Sequence, residues 1–164
     1  MARSKHKKSA NFAGIPRHIV EHSSFKSLGY SACALLILLG YQYRGNNNGN
    51  LVITWSIIKD WFGSNATMYR ARDSLYKAGF IVINAYGGRS GNGTKLPHLY
   101  ALTWESIDQL DGDNNWMRYT HYPAQKAPLS YWKSGNNPDV KTKKERDSQF
   151  KKDIEKINKS STSS

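Results

Sequence analysis

The residues best suited to bind a polyanion lie on one face of an amphipathic stretch, residues 64–81. At 100° per residue of an α-helix, the side chains on that face are Ala66, Tyr69, Arg70, Asp73 and Lys77. Guanidinium, phenol and ammonium groups on a helix can enter a DNA major groove, where arginine paired with guanine is the commonest specific contact. Ordinary solvated surface helices carry the same kind of face. The flanking elements must therefore decide between the two interpretations.

A helix over residues 64–78 is predicted from its own capping and packing signals. Ser64 or Asn65 supplies the short polar side chain that caps a helix N-terminus. One apolar stripe recurs at helical spacing and should be buried, comprising Met68, Ala71, Leu75 and Ala78. Gly79 then ends the helix, and the apolar run at residues 80–83 predicts a strand.

A zinc-peptidase motif is spelled near the N-terminus. His18, Glu21 and His22 match H-x-x-E-H, in which two histidines hold a metal and the glutamate acts as a base. The helix that carries them is short, and no second helix offers a third ligand with a supporting shell. We therefore predict no metal site here. The motif instead belongs to a short surface helix whose Ile19 and Val20 dock on the core.

The glycine-rich segment 88–95 resembles a phosphate-binding loop at first sight. That loop needs Gly-Lys-Ser/Thr, so that the lysine meets phosphate and the hydroxyl meets Mg²⁺. Here the order is Gly93-Thr94-Lys95, and Pro97 prevents a helix from following at once. Apolar runs on both sides predict the flexible tip of a β-hairpin instead. The tip is either a plain mobile turn or a DNA contact, because Arg89 and Lys95 can reach phosphates or a minor groove.

The segments before residue 64 predict the rest of a small core. Residues 31–43 are apolar nearly all round, which predicts a helix that is covered on most sides. A glycine- and asparagine-rich turn leads to a short strand at 51–54. Thr54 can cap a helix over residues 55–62, and four side chains of that helix should face the core: Ile57, Ile58, Trp61 and Phe62.

The order of these elements predicts a fold. Gly63 joins helix 55–62 to helix 64–78 by a tight turn, which is a helix-turn-helix arrangement with the second helix as reader. A strand, a hairpin tip and another strand follow. We therefore predict an α+β fold, a winged helix-turn-helix domain with three core helices and a small antiparallel sheet whose hairpin forms the wing.

The composition is strongly basic. Among 164 residues, lysine and arginine number 24 against 12 acids, which gives a formal charge of +12 and suits DNA, RNA or an anionic membrane surface. The longest apolar run, residues 32–39, is too short to span a bilayer, and no signal-peptide core follows the basic start. The single cysteine, Cys33, leaves no disulfide within the chain and no cysteine-based zinc site. We expect a cytoplasmic, nucleoid-associated protein with no membrane partner.

Residues 15–104 resemble small winged helix-turn-helix DNA-binding proteins of bacterial prophages, plasmids and other mobile elements. The likeness lies in the turn before the first strand, in the glycine-rich tip and in eight positions of the reader helix and its exit, namely Ser64, Thr67, Arg70, Ala71, Leu75, Gly79, Phe80 and Ile81. The resemblance implies that Ser64 and Thr67 lie near phosphate and that Arg70 faces the DNA.

Two positions depart from that pattern. Gly63 directly precedes Ser64, where such proteins often have one more residue in the turn, and this affects the angle of the reader helix. Arg72 stands where a leucine is usual, which suggests an extra basic contact or a polar interface.

Composition divides the chain into a basic N-terminal arm (1–14), the winged helix-turn-helix domain (15–110), an aromatic and proline-rich strap (111–138) and a charged C-terminal tail (139–164). The arm is either a solubilising segment or one that orders on DNA. The strap either packs on the domain or docks a partner through Trp116, Tyr119, Tyr122, Tyr131 and Trp132. The tail is either loose or a helix that forms on a partner, with its apolar residues at Phe150, Ile154 and Ile157.

The function expected from these features is sequence-specific binding of double-stranded DNA, as a transcriptional regulator or a replication or maintenance factor of a mobile element. The residues expected to contact DNA are Ser64, Asn65, Ala66, Thr67, Tyr69, Arg70, Arg72, Asp73 and Lys77 on the helix, Arg89 and Lys95 on the hairpin, and Arg3, Lys5, Lys7 and Lys8 in the arm. A protein-interaction module, an RNA-binding winged helix and a homodimer stay open as alternatives or additions. No acid–base pair or nucleophile triad converges, so we expect neither an enzyme nor a cofactor.

Overall fold

The computed structural model describes residues 13–89, 92–109 and 120–140. Its elements, in chain order, are α1 (Arg17–Val20), α2 (Ser23–Lys26), α3 (Tyr30–Gln42), β1 (Leu51–Val52), α4 (Trp55–Ile58), a three-ten turn (Lys59–Trp61), α5 (Asn65–Lys77), β2 (Ile81–Ala85), β3 (Gly88–Arg89), β4 (Lys95–Leu96), β5 (Leu99–Leu102) and a second three-ten turn (Tyr131–Lys133). This part of the chain is therefore α+β, with helices packed on a small antiparallel sheet. The predicted arm through residue 12, the start of the strap at 111–119 and the tail from 141 lie outside the described residues.

Helix α5 begins and ends where its sequence predicts. The Oγ of Ser64 accepts the backbone N–H of Thr67 at 3.2 Å, so Ser64 rather than Asn65 is the capping side chain. The predicted stripe packs towards α3 and the sheet; its first three members are buried and its last is half-buried, in the order Met68, Ala71, Leu75 and Ala78. Gly79 takes the left-handed backbone conformation, with φ +76°, that ends a helix without steric cost.

Two side-chain amides complete the sheet, whose strand order is β1–β5–β2 and whose pairs are antiparallel. The amide of Gln42 pairs with Val52 as a neighbouring strand would, donating to its carbonyl and accepting its N–H, each at 2.9 Å. This occupies the open edge of β1. Asn48 is fully buried and makes the same double contact with Leu102, which ties the turn before β1 to strand β5.

The described part of the strap packs on the domain. Trp132 is buried in the main core, where the rings of His18 and His22 lie 5.6 Å and 5.1 Å from its own. The two histidines of the H-x-x-E-H motif therefore contact an indole. The backbone N–H of Ser130 donates to the carbonyl of Thr103 at 2.7 Å, which holds the strap against the end of β5.

The helix predicted at residues 55–62 ends early. The backbone leaves helical values at Ile58, with φ −119° and ψ 6°, and a three-ten turn follows. Ile58 and Phe62 are buried as predicted, but the prediction was wrong for Ile57 and Trp61, which are exposed. A break in helical phase changes which side chains point inward, and no local signal in the sequence marks it.

Helix α3 is covered on fewer sides than its composition predicts. It begins at Tyr30, one residue before the predicted start, and Tyr30, Ile37 and Tyr41 are exposed on its outer face. The prediction for α1 was likewise half right, because Ile19 is buried and Val20 is exposed. Among the helices of the described residues, none has the length and apolar character needed to cross a bilayer.

Candidate nucleic-acid interface

Three polar side chains form a line along the first two turns of α5. The hydroxyl oxygens of Ser64 and Thr67 lie 3.0 Å apart, and Nη2 of Arg70 donates to Oγ1 of Thr67 at 3.5 Å. Within the described residues, nothing accepts the first-turn N–H groups of Asn65 and Ala66. Such N–H groups, together with the positive end of the helix dipole, suit a phosphate.

The one acid on this face is neutralised by its neighbour. Arg72 donates from Nε and Nη2 to Oδ1 of Asp73, at 2.9 Å and 2.6 Å. Burial alone would lower the pKa of Arg72, but its hydrogen bond to Asp73 and its contact with Tyr100 raise that pKa above its ordinary value. Arg72, expected to contact DNA, is therefore half-buried with internal partners. The ion pair balances the negative charge of Asp73 on the outer face of α5.

Tyr69 is held in place by the same guanidinium. The Cζ of Arg72 lies 4.9 Å from the centroid of the Tyr69 ring, a cation–π contact. The ring remains about half exposed on the outer face of α5. Tyr69 therefore presents an accessible aromatic side chain beside a guanidinium, one turn after the helix N-terminus.

Lys77 is set apart from these residues. Seven residues separate it from Arg70, which corresponds to about 10 Å along a helix. Its carbonyl accepts the N–H of Asn137 at 3.0 Å, and it lines an open groove of about 480 Å³ together with Ser27 and Val140. The structure therefore places Lys77 at the strap end of α5 rather than with the N-terminal half.

A hairpin at residues 86–98, called the basic hairpin below, places two cations side by side. Arg89 on β3 pairs with Lys95 on β4, and both side chains are exposed. Like charges directly opposite each other on a two-stranded ribbon are destabilising. No acid of the described residues forms an ion pair with either. A bound anion would relieve this repulsion.

The base of the basic hairpin is packed beside α5. Nδ1 of His98 accepts the backbone N–H of Gly87 at 2.9 Å. The rings of Tyr86 and His98 pack edge to face, with their centroids 5.7 Å apart. A Cβ on Gly87 would lie 2.3 Å from the carbonyl oxygen of Leu96, so only glycine fits. The ring centroids of His98 and Tyr100 lie 6.4 Å apart, and Arg72 on α5 contacts Tyr100, so one tyrosine connects the hairpin base to the helix.

The base of the hairpin should loosen in acid. Burial first, and then the charge of Arg72, lower the pKa of His98 below its ordinary value of 6.5. The folded state therefore binds this proton less well than the unfolded state does, so its stabilising contribution is complete above pH 6.5 and is lost as the pH falls below it. Protonation of Nδ1 also removes the acceptor for Gly87. We expect the Tm to drop between pH 7 and pH 5 by less in His98→Phe than in the wild type. Equal drops in the two proteins would contradict this prediction.

The structure leaves most of the predicted residues accessible to solvent. The N-terminal half of α5 presents Ser64, Asn65, Ala66, Thr67, Tyr69 and Arg70, all exposed or half-buried, and the basic hairpin presents Arg89 and Lys95. The arm residues Arg3, Lys5, Lys7 and Lys8 lie outside the described residues. Sequence reasoning missed Lys59 and Trp61, which are exposed on the three-ten turn five and three residues before the capping residue of α5.

Comparisons with known proteins identify no relative from which a function could be inferred. No family model, curated protein or solved structure matches the chain. Across residues 13–89, 92–109 and 120–140, histidine, cysteine and acidic side chains form no group of three or more that could hold a metal ion.

Proposed function

We propose that this protein binds double-stranded DNA in a sequence-specific manner as a winged helix-turn-helix protein. In that proposal α4 and α5 are the helix-turn-helix and the basic hairpin is the wing. The element order supports it, because α3, β1, α4, α5, β2, the hairpin and β5 follow one another, and the strands pair in the order β1–β5–β2. A role as a transcriptional regulator, or as a replication or maintenance factor of a mobile element, belongs to the same proposal.

The observation that carries the proposal is the charge pattern on the outer face of α5. Arg70 is exposed and contacts no acid of the described residues, while the carboxylate of Asp73 is neutralised by Arg72. The face is therefore net positive despite containing an acid. Asp73 remains half exposed, but the guanidinium beside it balances its charge, so the unpaired cation of Arg70 sets the sign of the face and attracts phosphates.

Each group has a role in the proposed complex. The N–H groups of Asn65 and Ala66, at the positive end of α5, hold a phosphate. Arg70, Tyr69 and the Asn65 side chain read base edges in the major groove, where arginine favours guanine and asparagine favours adenine. The two cations of the basic hairpin contact the backbone or the adjacent minor groove, which adds affinity with little sequence information.

Selection from a random duplex pool tests the proposal. The full-length protein is expected to enrich a defined sequence and to bind that duplex more tightly than the single strand or a structured RNA of equal length. If no sequence is enriched and the protein prefers the structured RNA, binding of double-stranded DNA is refuted and RNA becomes the favoured ligand. Absence of binding to all three would favour a protein partner.

The basic hairpin should contribute mainly through counterion release. If about five phosphates are neutralised, log K should fall with log salt at a slope of about −4.5, and removing one phosphate contact should reduce the slope by about 1. We therefore expect Arg89→Ala and Lys95→Ala each to flatten the slope while leaving the preferred sequence unchanged. Fluorescence anisotropy over a salt series measures this. Lys126→Ala removes an exposed lysine of the strap and should leave the slope as in the wild type.

A further inference from the structure

Helix α3 carries an uncovered apolar stripe on its outer face. Tyr30, Ile37 and Tyr41 expose 97%, 51% and 74% of their surface, and Ala34 lies between them. These four residues, called the α3 stripe below, are spaced by four, three and four positions, so they follow one another along a single side of the helix. Contiguous exposed apolar surface on a folded domain marks an interaction site.

We propose that a second copy of this chain covers the α3 stripe, with the two α3 helices packed antiparallel about a two-fold axis. The spacing is a palindrome, so an antiparallel copy places Tyr30 opposite Tyr41 and Ala34 opposite Ile37 at both ends of the contact. A small residue facing a larger one lets the backbones approach closely. A two-fold interface requires this self-complementarity, because each patch must match itself when reversed.

Charge singles out this face for self-association. The chain carries a formal net charge of +12, so two copies repel each other over most orientations. Helix α3 has no charged residue between Tyr30 and Gln42. A second copy can therefore pack on this outer face through apolar contacts, without bringing lysine or arginine side chains of α3 together.

The area predicts a weak dimer. An aromatic side chain buries roughly 150–250 Å², so the exposed parts of two tyrosines and one isoleucine from each copy amount to on the order of 1,000 Å² in total. Specific interfaces begin near that size, so we expect a dissociation constant on the order of micromolar. Such a dimer forms at high protein concentration, or when two copies are held together.

The proposed dimer leaves the candidate nucleic-acid interface free. The other side of α3 packs on the buried face of α5, through residues such as Leu35 and Met68 of the shared core. The outer face of α5 therefore points away from the α3 contact. The dimer does not rest on DNA binding, and its test uses protein alone.

Sedimentation velocity of the full-length protein over a concentration series is the first test. We expect a concentration-dependent dimer in the wild type, and at least about a tenfold weaker dimer in Ile37→Glu, because each copy would bury an unpaired carboxylate. Ile57→Glu is the matched control, since Ile57 has the same residue type and 53% exposure but lies on α4. It should dimerise as the wild type does. Circular dichroism and the Tm establish that both variants fold.

Disulfide trapping reports the orientation. In a Cys33→Ser background, a mixture of the Tyr30→Cys and Tyr41→Cys proteins should form a mixed disulfide dimer, whereas each protein alone should cross-link poorly. A wild type that stays monomeric at all concentrations would overturn the proposal. Hydrogen exchange that shows residues 141–164 of the same chain protecting the stripe in a monomer would overturn it as well. Efficient cross-linking of Tyr30→Cys alone would overturn the antiparallel arrangement.

Discussion

Replacing Arg70 with alanine is expected to weaken binding to the selected duplex by about 5- to 150-fold, which corresponds to about 1–3 kcal/mol for a good arginine–base contact. The reason lies in its position. The guanidinium is exposed one turn beyond the capped N-terminus of α5, and its recorded partner is the Thr67 hydroxyl at a long 3.5 Å. That contact orients the side chain without occupying most of its five donors. The affinity is measured by anisotropy at fixed salt, because affinity for DNA depends strongly on ionic strength.

The specificity of the Arg70 variant is the sharper measurement. If Arg70 reads a base, Arg70→Ala should relax the preference at one position of the selected sequence, whereas loss of a phosphate contact would weaken all sequences alike. Arg17→Ala removes an exposed arginine from α1, whose His18 packs on Trp132 of the strap, and is the matched control with near wild-type affinity. An Arg70→Ala protein that is folded and binds as the wild type does would exclude the outer face of α5 as the reader.

Replacing Trp132 with alanine is expected to lower the free energy of unfolding by about 3–5 kcal/mol, as for other large-to-small core substitutions of aromatic residues. Trp132 is only 3% exposed, and its indole packs in the main core beside two histidine rings. Its removal would leave a cavity where the strap meets the core, while the backbone hydrogen bond of Ser130 to Thr103 still holds the strap. The midpoint of urea unfolding should fall at an unchanged slope if the variant still unfolds in one step.

Trp61→Ala is the matched control for Trp132, because the chemistry of the substitution is identical and only the burial differs. Trp61 exposes 66% of its surface, so its removal should change the free energy of unfolding by no more than about 0.5 kcal/mol. Similar losses in the two variants would contradict the packing of the strap. A large decrease in the free energy of unfolding for Trp132→Ala, but not for Trp61→Ala, would show that residues 120–140 unfold cooperatively with the domain.

Helix α5 shows how far local pattern carries a prediction. Its cap at Ser64, its buried face and its end at Gly79 each depend on residues within about one turn, so the sequence identifies them. Gly79 also has a second reason to be glycine that no local pattern contains. A Cβ there would lie 2.8 Å from the carbonyl carbon of Tyr131, because the strap crosses the helix end at that point.

The sequence predicts which residues of the candidate interface face outward, but it does not predict which of their charges are paired. The positions facing outward follow from helical periodicity, and the pairing of Arg89 with Lys95 follows from a hairpin centred on the glycine-rich tip. The neutralisation of Asp73 does not follow, because Arg72 is oriented by Tyr100 on β5, a residue 28 positions away. Strand pairing brings that partner close, and only the folded chain shows it.

The sequence by itself determined where α5 begins and ends, which face of α5 is polar and that the chain is a polycation, because these properties arise from neighbouring residues or from composition. Outside α5, only the tertiary structure decided which of the large apolar residues are covered. Trp61 and the α3 stripe are as apolar as the core, yet they remain exposed, whereas Trp132 from the strap is buried. The physical reason is that burial is set by which surfaces meet in space, and hydrophobic attraction has no direction of its own.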